Sequence, residues 1–420
     1  MKKKLWACMA VVVLVATAIG GCSSPVPSET EQETQKDSLE VWTFYDCNVP
    51  GYYYMFAWDD LEKQYNCTLD VKNFSKAEMD TKLLTALATG ELPDIFYLGD
   101  GEYVQEFIEA KVCLPVQSYI SDLSYEDGYV TEYSNNVYVV PCTPKKYYVT
   151  YYNVSLLEEI GLSIPTSYEE LQKMNRQIQR YNKLNDTDYV LFECGDKEGE
   201  SFDRLLNEMV QYLDEDAWQQ YMTDNAKDYS VLKEAATKLT ELGEDGAFNK
   251  NVVQKGHAQA VTDFIGGEAV MMVDSSDIAY HLIQNMGEDG FEMVNFLDND
   301  KLICETPDQT PGLCVNANSD NSGLAAQICA AYAKRMNELN VTQQGYLNML
   351  TDDYEQTGTT PKQIDFLKQL VQDDTHVTGY SSIQIDKDNE SLWKANNKKY
   401  LLGDITLKEY MKTAKDCINP

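Results

Sequence analysis

Apolar positions along the chain follow two rhythms. Leu39-Glu40-Val41-Trp42-Thr43-Phe44 is a β-rich run bounded by turn formers and reads as a strand. A helical stretch over 54–65 and a second strand at Leu69-Asp70-Val71 follow. Ser75-Lys76-Ala77-Glu78 has the S-x-x-E form of a capping box. Met79, Leu83 and Leu87 then share one helix face, Gly90 stops the helix, and Pro93 blocks its return. Asp94-Ile95-Phe96-Tyr97-Leu98 is short and nearly all apolar, the pattern of a strand covered on both faces. A helix over 102–110 completes a β-α-β-α-β-α order, which predicts an α/β domain with a largely parallel sheet.

A second unit starts near Val137, with strands expected at 137–141 and 147–152. Ser155 to Glu158 and Ser167 to Glu170 read as capping boxes, the first helix closing at Gly161. Residues 200–245 are helical in pattern, 264–273 read as helix end, turn and strand, and 291–297 and 312–315 as further strands. From Asn321 onward the chain reads as mostly helical, with a last helix over 404–414.

Length and charge narrow the function. A chain of 420 residues exceeds what one core usually spans, so two domains are expected. Its formal net charge of −34 argues against nucleic acid, which needs a basic face, and against docking of the folded body on anionic lipid. Lys2, Lys3 and Lys4 precede an apolar run from Leu5 to Ile19, the outline of a secretory signal. That run is shorter than the roughly 17 to 25 residues of a membrane-spanning helix. Ile19-Gly20-Gly21-Cys22 resembles a bacterial lipobox, which implies a signal peptide over 1–21 and lipid (palmitate among the acyl chains) on Cys22. The next stretch, rich in Ser, Pro and Glu, reads as a flexible tether over 22–38. Two or more acyl chains would hold the protein on the outer face of the cell membrane.

Nine cysteines follow Cys22 and none forms a C-x-x-C pair, so they read mainly as small buried hydrophobes. Only three histidines occur, His257, His281 and His376. No P-loop, G-x-G-x-x-G or H-E-x-x-H motif is present, and nothing marks a nucleophile and its base. The expectation is therefore no enzyme, no catalytic residue, no cofactor and no metal site.

Several ordered strings resemble a known family. LEVWTFYD at 39–46, TKLLTALATGELPDIFYLGDGE at 81–102, NNVYVVPCTPKKYYVTYYNVSLLEEIGLSIPTSYEEL at 135–171, FIGGEAVMMVDSS at 264–276 and LLGDITLKEYMKTA at 401–414 are similar to segments of bacterial extracellular solute-binding proteins of ABC importers. The likeness is to the sugar-binding group related to maltose-binding protein. It implies a type II periplasmic-binding-protein-like fold, with two discontinuous α/β lobes joined by a hinge. The first lobe is expected over 39–143 and 293–318, the second over 144–292 and 319–420. A carbohydrate, a mono- or oligosaccharide, would lie in the cleft between lobes and pass to the permease subunits of the importer. A monomer is expected. Alternatives are a surface lipoprotein presenting ligand to a sensor kinase, and a binder of a non-sugar solute such as a polyamine.

Candidate ligand residues sit after strands, where α/β sheets bind their ligands. Tyr45, Asp46 and Asn48 follow the first strand. The resemblance carries over Tyr97 as a stacking ring and Asp100 as an acceptor of sugar hydroxyls. Glu193 and Asp196 follow the strand at 189–192, and Asp274, Ser276 and Asp277 follow that at 270–273. Family members often place a tryptophan at the latter point; Asp-Ser-Ser-Asp here lacks it. Trp393 stands on a late helix about one turn from where a relative has a ring, and Lys145 and Lys146 read as a solvated edge near the crossing.

Overall fold

The computed structural model describes residues 36–44, 54–74, 76–99, 101–222, 228–299, 302–304, 311–344, 347–351, 360–372, 385 and 387–418. The opening segment forms as its periodicity predicts: β1 (Ser38–Phe44), α1 (Tyr54–Tyr65), β2 (Thr68–Phe74), α2 (Lys76–Thr89), β3 (Ile95–Leu98) and α3 (Gly101–Glu109). β1 pairs in parallel with both β2 and β3. In α2 the buried face is Met79, Leu83 and Ala86, with Leu87 at its margin. β3 is buried along its whole length, as an apolar strand between helices must be.

The first sheet is mixed. Its order is β2-β1-β3-β9-β4, where β4 is Val140–Pro141 and β9 is Gly312–Val315. β9 runs antiparallel to both β3 and β4. It enters from the other sheet, with no crossover helix to turn it parallel.

The second sheet has the order β6-β7-β5-β8, built from β5 (Tyr148–Asn153), β6 (Val190–Phe192), β7 (Ala269–Ser275) and β8 (Phe291–Val294). β6 and β7 are parallel, and β5 is antiparallel to β7 and β8. β5 and β7 are buried throughout. One face carries Leu205, Leu206 and Met209 of α6 (Ser201–Leu213). The other carries Phe264 of α9 (His257–Ile265) and Ile364 and Leu367 of α12 (Lys362–Gln372).

The distribution of the late helices corrects the expected lobe boundary at 319. The long helix α11 (Ser322–Gln344) belongs to the first core, where Tyr332 stacks on Trp58 with ring centroids 3.9 Å apart. Met349 and Leu350 join the same core. After α11, Leu347 and then the helices from α12 onward pack on the second sheet, while the apolar stripe of α11 finds its complement on α1 and β9. The chain thus passes between the two cores at 142–147, between β8 and β9, and between α11 and α12. Two of these passages are stitched together: the Tyr148 amide donates to the Ile303 carbonyl at 2.8 Å, and Tyr147 bridges Cys304.

Local signals resolve in detail. Ser167 caps α5 (Tyr168–Asn185) by accepting from the Glu170 amide, while the Glu170 carboxylate accepts from Thr166. The box expected at Ser155 is not the cap. Asn153 accepts from the Leu156 amide at 3.2 Å and starts α4 (Val154–Ile160) one residue before Ser155. Gly161 closes α4 at φ 74°, a left-handed turn that glycine adopts without strain. The helical run 200–245 is broken into α6, α7 (Ala217–Met222) and α8 (Ser230–Glu244), and the strand expected over 291–297 ends at Val294. Cys67, Cys113, Cys142, Cys194, Cys304, Cys314, Cys329 and Cys417 are buried thiols.

Candidate binding site

Strand pairing places the carboxyl ends of both sheets at the crossing segment. Leu98, the end of β3, pairs with Gly312, which pairs with Pro141 at the end of β4. Residues 142–147 then lead to Tyr148, which pairs with Ser275 at the end of β7. Ligands of open α/β sheets lie beyond such strand ends.

At this end of the second sheet the sequence gathers charge. Asp274, 2% exposed, has both carboxylate oxygens engaged. Oδ1 accepts from the Ser275 amide at 2.7 Å and lies 3.1 Å from Nη1 of Arg204. Oδ2 lies 2.7 Å from Nε2 of His257. Burial alone would raise the Asp274 pKa, but His257 and Arg204 outweigh it and hold the carboxyl well below the usual range. The same carboxylate raises the pKa of His257 against the opposing effect of burial. Arg204 is fixed further by Glu200 and lies over the ring of Tyr148.

A second network stands beside it. Lys255 bridges Glu193 Oε1 at 2.6 Å and Asp263 Oδ2 at 2.5 Å. Burial lifts the Glu193 pKa to about 7 although Lys255 opposes it. Asp196 is fully buried, accepts from the Phe202 amide at the start of α6, and is raised by burial to about 6. Ser276 fastens the crossing strand, its Oγ accepting from the Tyr147 amide and its own amide donating to the Tyr147 carbonyl. Asp277 pairs with Lys146 at 2.7 Å, so Lys146 is more than a solvated edge.

Glu193, Asp196, Asp274, Ser276 and Asp277 are therefore brought to one end of one sheet. Trp393 is not with them as a stacking ring. It is fully buried, packs against Trp218, and donates its indole N–H to Asp203 at 2.6 Å. Tyr97 is 7% exposed and packs in the first core, leaving little ring face for a ligand. Tyr45, Asp46, Asn48, Asp100 and Cys22 lie outside the described residues. Arg204, Lys255 and His257 escaped the sequence reading. Arg204 and His257 stand 70 and 17 residues from Asp274 with no motif joining them; the only local hint is the glycine before His257.

Two other features are weaker candidates. Glu193, Asp263 and Glu268 each place a carboxylate oxygen within 4.8 Å of the others, but the Lys255 ammonium already bridges the first two. A cavity of about 980 Å³ opens at the amino ends of β6 and β7, beside Tyr189, Gly267 and Glu268. The amides at its wall, Gln179 and Asn182, are bonded to Gly246 and Tyr189, and Glu193, which also reaches its wall, is already paired with Lys255.

Comparison with known proteins gives the architecture a family. The chain is 26% identical over 231 residues to the Multiple sugar-binding protein of Streptococcus mutans, and the match spans about half of each protein, 52%. A structure from work on xylan utilization by the thermophilic bacterium Caldanaerobius polysaccharolyticus superposes with a TM-score of 0.78 at 21% identity, over 91% of this chain and all of that one. A chitin oligosaccharide binding protein superposes with a TM-score of 0.76 at 15% identity, over 91% of this chain and 99% of the other. These likenesses establish the two-lobed fold expected from the sequence strings. Residues 57–368 match the model of the bacterial extracellular solute-binding protein family, and the chain belongs to that family.

Proposed function

We propose that the protein captures a carbohydrate between its two lobes and delivers it to the permease of an ABC importer, without turnover. The observation that carries this reading is the meeting of strand ends: the carboxyl ends of β3 and β7 flank one crossing segment, and a buried, ordered set of carboxylates and cations stands beside Tyr148 there. Neutral hydroxyls are recognised by such fixed charged donors and acceptors, each bond contributing about 1.5 to 3 kcal/mol. Opening and closing about the crossing segments, with ligand touching both lobes only when closed, is the expected mode of capture. The sugar-binding relative and the xylan- and chitin-related neighbours favour an oligosaccharide.

Cys22, acylated after removal of residues 1–21, would tether the protein outside the membrane. No helix among the described residues is long and apolar enough to cross it. The ligand set would combine Asp100, Tyr45, Asp46 and Asn48 from the first lobe with groups at the ends of β6 and β7. Lobe assignments follow the packing: 37–143 with 311–351 in the first, 148–299 with 360–418 in the second.

The test is thermal unfolding and calorimetric titration of the full chain with xylotriose, chitotriose, maltotriose and raffinose, with spermidine as the cationic control. Ligand that binds only the folded form raises the midpoint with concentration. A concentration-dependent rise with at least one oligosaccharide and none with spermidine is expected. A rise with spermidine alone would replace the sugar reading by a polyamine one.

A further inference from the structure

We propose that His257 is a ligand-contact residue: Asp274 and Arg204 fix its ring, and its Nδ1 edge is the donor that the second sheet offers to the captured solute. The inference rests on the carbohydrate reading and names a residue of that same site.

The backbone at His257 is held first. The loop before α9 is sewn to the end of β6, with the Asp196 amide donating to the Val252 carbonyl and the Lys197 amide to the Lys255 carbonyl. The approach is so close that a Cβ built on Gly195 would stand 2.5 Å from the Gly256 carbonyl oxygen. Only glycine fits there, and His257 follows directly.

The ring is held next. Asp274 Oδ2 meets Nε2 at 2.7 Å, and the carboxylate cannot swing because Ser275 and Arg204 hold its other oxygen. A carboxylate only accepts, so Nε2 carries its proton whether the imidazole is charged or neutral. All change of protonation therefore falls on Nδ1. Among the described residues Nδ1 has no hydrogen-bond partner.

Exposure singles out the same residue. The side chains of Asp274 and Arg204 are 3% and 8% exposed, whereas that of His257 is 27% exposed. The buried pair is scaffold and the histidine is the part a solute can reach. Asp274, Asp277 and Arg204 act on the imidazole; Asp274 dominates, while Arg204 opposes the charge and Lys146 offsets Asp277. Their balance raises its pKa, so near neutrality Nδ1–H gives a charge-assisted bond to a sugar oxygen. As pH rises through that raised pKa, Nδ1 loses its proton and becomes an acceptor, and the stronger bond is lost.

Two near-isosteres separate contact from positioning. The side-chain amide of Asn places its nitrogen where Nδ1 stands, and that of Gln where Nε2 stands. Titration of wild type, His257→Asn and His257→Gln with the four oligosaccharides at pH 6 and pH 8.5 is the experiment. Wild type is expected to bind about tenfold more weakly at the higher pH, the scale of one charged hydrogen bond. His257→Gln should lose about tenfold at pH 6, while His257→Asn keeps most of the affinity and shows no pH dependence. Full affinity in His257→Gln with loss in His257→Asn would make the residue a prop for Asp274 and overturn the inference. Unchanged binding in both variants would place His257 outside the site. Absence of any heat with wild type across the four sugars would overturn the carbohydrate reading itself, and this inference with it.

Discussion

Glu208 offers a measurement in which one buried carboxyl can be read in isolation. It lies on α6, 2% exposed, and burial raises its pKa from 4.5 to about 8 against the opposing effect of the nearby Asn299 amide. A folded-state pKa above the unfolded one means that the fold takes up a proton. Its stability is therefore fully present below pH 4.5 and declines as pH rises, until the group is ionised above pH 8. Glu208→Gln replaces the neutral acid by an uncharged group of the same shape that cannot ionise. Each pH unit of the rise is worth about 1.4 kcal/mol. The variant should thus match wild type at pH 4, exceed it by about 2 kcal/mol at pH 6, and by about 5 kcal/mol at pH 9. Urea unfolding of both proteins at matched pH removes every other titrating group from the difference. A stability gap that stays flat from pH 4 to pH 9 would refute the reasoning, since only ionisation of Glu208 makes it grow.

Two further substitutions test the packing. Trp393→Phe deletes the indole donor to buried Asp203, which Asn397 also contacts; a loss of about 1 to 3 kcal/mol in urea unfolding is expected, and an unshifted midpoint would show that the bond carries no stability. Gly195→Ala drives a methyl into the Gly256 carbonyl, so a loss of about 1 to 3 kcal/mol together with weaker ligand binding through displaced His257 is expected, measured by thermal unfolding and titration side by side.

Much of the first lobe was legible because its signals are local. The alternation at Leu39 and Val41, the Met79–Leu83 face and the apolar run at 95–98 each settle one element within a few residues. Ser167 and Gly161 were legible for the same reason. Ser155 misled because Asn153, two positions earlier at the end of β5, already caps the helix by accepting from the Leu156 amide, which leaves Ser155 inside the first turn. What stayed hidden depends on distant partners. Nothing near Tyr332 announces that it will meet Trp58, so α11 could not be assigned to its core. Asp274 stands within β7 near its carboxyl end, rather than after the strand as the sequence predicts, and its partners arrive from α6 and α9 with no shared motif. Asp274, Ser276 and Asp277, which read as ligands by their position, are engaged by neighbouring groups, and the more exposed side chain belongs to a histidine whose sequence context is bland.

The returning strand β9 sets an order of events for synthesis and export. Until residues 312–315 emerge, β3 and β4 each lack the neighbour that separates them, and α11 is not there to cover Trp58. About three-quarters of the polypeptide must leave the ribosome before the amino-terminal lobe can close, so its early stretches present open edges of the kind that nascent chains adhere through. A fragment cut after residue 290 would carry that defect permanently, which makes the two lobes inseparable by truncation even though each has its own interior.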